Sequence, residues 1–420
     1  MQRLLIPAVQ PEGMQVPSKR LNLRDRVARI EWSITGSDFE SLLVLYHATV
    51  ALFGFAEARK RMRLHTPYFV RLAIENAYPR VYVTNRLMKK GLPLTYGPFP
   101  SRLAAERYCE GVLDLFKMRR CYEDLDVSPT HPGCAYGEMK KCMAPCNQSC
   151  TPEEYAAEAA SVKAFFDTHG ESLLSAIATD RERAAGEMEF ERAAAIHEQW
   201  QRVHNVTGSA DELVRPLPQL RAAIVQRAAG GTNTADAPEA ALFLLQGGCL
   251  GGPERLSTLG VRAVKEQTSV GSSLFAQPLM LQAVPLGGEP LTPAESPEER
   301  AHAVLGRLEG TTTAPSDLAL LSDHLSLLRR WYYRPEKQRA GEVFLPNPDG
   351  SWPVRRILRG AARISLGDPK SIADTDREGA KAVKTRILHE GRPDVQREVP
   401  IISSFPDLPT FTTRRRKKES

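Results

Sequence analysis

The sequence has no uninterrupted apolar run of the roughly eighteen residues that a membrane-crossing helix needs. Its opening, Met-Gln-Arg-Leu-Leu-Ile-Pro, carries too short an apolar run for a secretory leader. A cytoplasmic location is therefore expected, with no membrane as partner. Tyrosine is missing from the chain before Tyr46. No Cys-x-x-Cys pair occurs, so the usual spacing of a zinc ribbon is absent. What is present is 420 residues, 42% apolar and 25% charged. That balance belongs to a soluble globular protein with room for two or three domains.

Five of the seven cysteines fall between Cys121 and Cys150. Cys121, Cys134, Cys142, Cys146 and Cys150 are separated by twelve, seven, three and three residues. In an oxidising compartment such density would mean disulfides. With nothing pointing to export, it points to a metal instead. Thiolates are soft ligands and select zinc or an iron–sulfur cluster, and the spacing alone does not separate the two. The alternative is a set of small buried apolar side chains.

Charge is unevenly placed. Residues 1–150 hold 22 Lys and Arg against 14 Asp and Glu, while residues 151–420 hold 34 against 36. A basic first third fits a polyanionic partner, most simply nucleic acid, or else an ordinary solvated surface. Arg59, Lys60, Arg61 and Arg63 form a cluster able to touch phosphates, with a solvated loop as the alternative.

The fold class read from the chain is α+β. Residues 21–36 begin as a helix and end in the strand-like alternation Ile30, Trp32, Ile34. Ser37 and Asp38 are caps for an apolar helix from Phe39 to about Phe53. Residues 79–84 read as a strand. Ser101 caps a helix leading to Cys121. Thr151, Pro152 and Glu154 make a capping box for a helix ending before Gly170. Two more helices follow, over about 171–186 and 189–206. Beyond residue 207, Gly- and Pro-rich loops separate strand-like 241–246 and 278–284 from a helical Ser322–Tyr333. Arg329, Arg330 and Arg334, and Arg355, Arg356 and Arg359, are further basic groups with aromatic neighbours, readable as a nucleic-acid grip or as a solvated helix edge. The tail ends Arg-Arg-Arg-Lys-Lys-Glu-Ser.

Three motifs carry a family resemblance: Tyr96-Gly-Pro-Phe-Pro100, Arg119-Arg-Cys121, and the run from Gly137 to Cys146. Together they resemble the UvrC family of bacterial excision-repair nucleases. The resemblance implies that Cys121, Cys134, Cys142 and Cys146 ligate a 4Fe–4S cluster, with zinc as the alternative, and that Cys150 is spare. The run Glu187-Met-Glu-Phe-Glu-Arg-Ala-Ala194 resembles the UVR helical hairpin, which implies UvrB as a partner through Met188, Phe190, Ala193, Ala194 and Trp200.

The family's GIY-YIG nuclease domain has a helix opening on a glutamate that holds a divalent cation such as Mg²⁺. By that match Glu40 takes the metal-binding, catalytic place. Without the resemblance, a Glu in a first helical turn is explained by the helix dipole. In one register Arg26 matches the catalytic arginine, with Val16 where the tyrosine belongs and Ser18 where a glycine belongs. In the preferred register Arg26 has no counterpart. The missing tyrosine motifs imply either a start that omits half of that domain or a homologue that no longer cuts.

The expected organisation is a partial nuclease-like unit over 1–100, a cysteine unit over 101–170, the hairpin over 171–206, a second α+β domain over 210–370 and a polar tail over 371–420. The expected function is incision of damaged double-stranded DNA together with UvrB. A non-catalytic adaptor and a zinc-stabilised interaction protein are the rivals.

Overall fold

The computed structural model describes residues 26–122, 125–229, 239–261, 295–312, 317–335 and 338–366, with two short strands further on. It is an α+β structure with two four-stranded antiparallel sheets in the unit ending at Leu366. The expected strand over 278–284 and the basic tail lie outside the described residues.

The first sheet holds β1 (Tyr68–Ala73), β2 (Arg80–Thr84), β3 (Thr95–Phe99) and β4 (Arg215–Pro216), in the order β2-β1-β3-β4. Around it lie α2 (Arg102–Leu115), the short α3 (Ala135–Glu138), α4 (Pro152–Asp167), α5 (Glu171–Gly186) and α6 (Phe190–Thr207). Val70, Leu72, Tyr96, Tyr108, Val112 and Phe165 form their shared core. The expected caps are present. Ser101 Oγ accepts from Ala104 N, and Thr151 and Glu154 close their box on α4. Gly170, at φ 87°, makes the left-handed turn into α5 that a side chain would strain.

The second sheet holds β5 (Arg221–Arg227), β6 (Glu239–Gln246), β7 (Cys249–Ser257) and β8 (Glu342–Phe344), in the order β7-β6-β5-β8. It is covered on both faces. Ile224, Phe243 and Leu245 point to a core shared with α1 (Asp38–Arg61) and α8 (Leu318–Tyr332). Ala223, Val225, Leu242 and Leu244 point to one shared with α7 (Pro297–Thr311) and α9 (Val354–Leu366). Side chains alternate across a strand, so two-sided burial makes both registers of β6 apolar. That accounts for the uninterrupted run Ala-Leu-Phe-Leu-Leu.

Two expectations are corrected. Residues 26–36 form neither helix nor strand, and Ile30, Trp32 and Ile34 are exposed. An alternating segment needs a neighbouring strand to satisfy its backbone, and among the described residues none pairs with this one. Helix α1, read with the N-terminal unit, packs through Phe39, Leu43 and Tyr46 into the core under the second sheet. Its expected end near Phe53 coincides with a break at Gly54 (φ 77°), after which helix continues to Arg61.

Gly36 permits that docking. A Cβ there would lie 2.1 Å from the carbonyl oxygen of Arg227 at the end of β5. By length and composition α1 would also suffice to cross a membrane, although no uninterrupted apolar run does. Here its buried face is spent on the protein core. Beyond Leu366, β9 (Arg386–Leu388) and β10 (Arg397–Val399) pair antiparallel in a separate unit.

Candidate cysteine centre

Helix α2 ends at Leu115, and Phe116 and Met118 then anchor the outgoing chain in the core. Arg119 N donates to the hydroxyl of buried Tyr155 (3.0 Å), which itself donates to the carbonyl of Pro79 (2.8 Å). This fixes the approach to Cys121 against β2 and α4. The returning strand of the loop is tied alongside by Met143 N donating to Lys117 O at 3.0 Å.

The rest of the loop is wound by backbone turns. Lys140, Ala144 and Gln148 all adopt positive φ, between 52° and 58°, which bends the chain sharply around Cys142 and Cys146. Cys134 caps α3, and its carbonyl accepts from Gly137 N at 2.9 Å. Ser128 N donates to Cys146 O at 3.0 Å, closing the long span between Cys121 and Cys134 onto the turn.

All five cysteines are free thiols. Cys142 is the common neighbour of the set. Burial pushes its thiol up to about 11, opposed by the N–H of Ala144, with Cys134, Cys121 and Cys146 each raising it further. Two sulfurs already receive donors: Ala144 N lies 3.3 Å from Cys142 Sγ, and Arg119 Nη1 lies 3.8 Å from Cys121 Sγ. Cys150 is packed in the first core with Tyr155 and Phe165, and burial raises its thiol, with Glu154 and Cys146 raising it further. Among the described residues, no three His, Cys, Asp or Glu side chains stand in a finished metal cage.

The other expected site residues are placed as follows. Glu40 is buried at the start of α1, and its Oε2 accepts from Gly36 N at 2.7 Å, so the carboxylate closes its own helix entry. Arg26 is exposed. The basic cluster is divided. Arg59 turns inward to Asp323 and Ala319 O, and Arg61 pairs with Glu57 while lying 4.0 Å over the ring of Phe53. Lys60 and Arg63 are exposed. Of the later arginines, Arg330 donates to the carbonyls of Met62 and Arg63, and Arg355 pairs with Glu298.

On the hairpin, Met188 is 76% and Phe190 70% exposed at the turn. Ala194 is exposed and Ala193 half-buried. Trp200 lies further down, half-buried against the first core and stacked with His197 and His204. The five expected contact residues therefore split into an open tip and an inward-facing base.

A family model described as the UvrC/Cho excinuclease middle domain matches residues 68–165, from β1 into the last turn of α4, with the whole cysteine loop inside. Over that segment the chain is similar to the UvrC family. UvrABC system protein C of Ectopseudomonas mendocina is 27% identical over 183 residues, covering 41% of this chain and 28% of the relative. Its counterpart in Limosilactobacillus fermentum is 29% identical over 201 residues, covering 43% and 32%. The match thus spans under a third of these UvrC relatives' own length. No solved structure matches. Within the matched segment Tyr96 is buried on β3, and its hydroxyl donates to Asp167 Oδ1 at 2.9 Å, joining the Tyr-Gly-Pro-Phe strand to α4.

Proposed function

We propose that this chain is a UvrC-like subunit of bacterial nucleotide excision repair, working in the cytoplasm on damaged double-stranded DNA with UvrB. The observation that carries the reading is the family match across residues 68–165, which includes the cysteine loop.

Cys121, Cys134, Cys142 and Cys146 fit a 4Fe–4S cluster. The donor set is all thiol, and soft sulfur ligands select iron–sulfur clusters or zinc over hard cations. N–H groups already approach two of these sulfurs, from Ala144 to Cys142 and from Arg119 to Cys121, as donors to ligating sulfurs do. Such a cluster, when bound, cross-links the loop and carries electrons; it is not a hydrolytic group. Zinc is the competing occupant.

UvrB is assigned to the hairpin tip. Two large apolar side chains held in water on a two-helix turn are the kind of anchor that a partner buries. Titration of tagged UvrB against the full chain tests this, and absence of binding would overturn the repair reading.

Incision is the finer claim, and one observation favours the adaptor reading instead. A Mg²⁺ ion needs an accessible carboxylate with room for several waters. Glu40 is buried and engaged with Gly36 N, so it does not offer that carboxylate. A nicking assay on damaged duplex with UvrA, UvrB and Mg²⁺ separates the two. Strand cleavage would remove the adaptor reading.

A further inference from the structure

Beside the cysteine loop lies an open cleft of about 720 Å³. Its floor is apolar, made by Val81 and Val83 of β2 with Cys109 and Leu113 of α2. One wall is the outer face of α2, carrying Arg102, Glu106 and Glu110. The other is built from the start and the middle of the cysteine loop: Arg120, Tyr122 and Tyr136. Arg86 stands at the end of β2 on the rim. None of these residues belongs to the sites described above.

Two features of this cleft are unusual for an idle surface. Its aromatic rings are held open to water: Tyr122 is 76% and Tyr136 40% exposed. Each is positioned by an arginine. Arg80 donates to the carbonyl of Tyr122 at 2.6 Å, and its guanidinium carbon lies 5.6 Å from that ring's centroid and 5.2 Å from that of Tyr82. Arg120 lies 5.5 Å from the centroid of Tyr136 and is oriented by Leu113 O and Asp114 Oδ1, while its buried Nε has no hydrogen-bond partner. Each ring thus has a guanidinium near it and keeps much of its surface open to water.

We infer that this cleft binds one or two unpaired nucleotides of single-stranded DNA. Base faces stack on aromatic rings whatever the sequence, and guanidinium groups beside the rings meet the backbone. Arg86, exposed on the rim, suits phosphate. The carboxylates of Glu106 and Glu110 oppose phosphate on the α2 wall and suit the N–H edges of unpaired bases, thymine N3–H included, which donate to carboxylates. Glu106 is already partly satisfied by Arg102 at 2.7 Å. A volume of this size takes a nucleotide comfortably and a double helix not at all. The cleft also stands in the basic part of the chain, where 22 Lys and Arg face 14 Asp and Glu over residues 1–150. Because Tyr122 follows Cys121 and Tyr136 lies two residues after Cys134, the loop that gathers the cysteines also sets the spacing of the rings.

The inference rests on the nucleic-acid reading above, and its test separates the two. Fluorescence anisotropy of a labelled oligothymidylate is followed against the full chain, with a duplex of equal length and a polyglutamate peptide as competitors. The single strand is expected to bind better than the duplex, and polyglutamate to compete poorly. The double variant Tyr122→Ala/Tyr136→Ala is expected to lose about tenfold or more in affinity, whereas Tyr122→Phe/Tyr136→Phe keeps the rings and binds as the parent does. Both pairs replace exposed side chains, and unchanged melting temperatures check folding. Equal affinity for all three proteins, or competition by polyglutamate matching that of oligothymidylate, would overturn the cleft while leaving UvrB binding untouched. Ring-dependent binding in a chain that ignores UvrB would keep the cleft and remove the repair role.

Discussion

Arg59 and Asp323, 264 positions apart, are joined by a 2.7 Å hydrogen bond from Nε to Oδ1. The Asp323 side chain is 1% exposed, and its other oxygen accepts from the hydroxyl of Tyr46 at 3.1 Å. One carboxylate thus ties both halves of α1 to α8. An arginine that reads as part of a phosphate-binding cluster is in fact the counter-charge of a buried acid.

Removing that counter-charge strands the acid in a low-dielectric site. Arg59→Ala is expected to destabilise the protein by about 1–3 kcal/mol, because the buried Asp323 carboxylate loses a donor while the arginine it loses is partly in water. Urea unfolding measures this. A change within about 0.5 kcal/mol, the usual range for surface substitutions, would show that the pair is ornamental.

Beside Asp323, His324 is held neutral. Burial lowers its pKa to about 4, with His47 lowering it further and Asp323 opposing. Its Nδ1 accepts from Leu250 N at 3.1 Å, an acceptor role that protonation removes. The unfolded chain protonates this histidine near its ordinary value of about 6.5 and the folded chain does not. Its contribution is thus complete above that pH and lost as pH falls toward 4. The loss over this window is about 3 kcal/mol. Melting temperature against pH should fall across it, and His324→Gln should flatten that slope. An unchanged slope would reject the assignment.

At the hairpin, Phe190→Ala removes a side chain that is 70% exposed. Stability should stay within about 0.5 kcal/mol of the parent, while affinity for UvrB drops by about 2 kcal/mol, as for a central anchor. Equal losses in both would mean that the residue packs within the chain.

For the cysteines, two substitutions are compared by metal analysis of protein purified without oxygen. Cys142→Ser removes the thiol that neighbours the other three and should abolish bound iron. Cys150→Ser alters a core position and should leave iron content unchanged. Zinc without iron in the parent would replace the cluster assignment.

At the entry to α1, Gly36→Ala places a methyl group against the carbonyl of Arg227, with backbone on both sides of the clash. A loss of about 1–3 kcal/mol is expected from such overpacking, read by thermal melting. Stability equal to the parent would mean that the docking gives way without cost.

Local patterns in the chain determined much of this protein. Ser101, the Thr151–Glu154 box and Gly170 fixed helix ends, because caps act within a few residues of the backbone groups they satisfy. The apolar run of β6 declared a buried strand. Tertiary structure alone decided which surfaces those elements met. Ile30, Trp32 and Ile34 alternate as a strand does, yet found no neighbour to pair with. Arg59 and Lys60 look alike in sequence, but only one lies opposite Asp323. Tyr122 and Tyr136, fourteen positions apart, come to line one cleft only in the folded loop. Each of these depends on contacts between residues far apart in the chain, and such contacts leave no period or cap for a local reading to find.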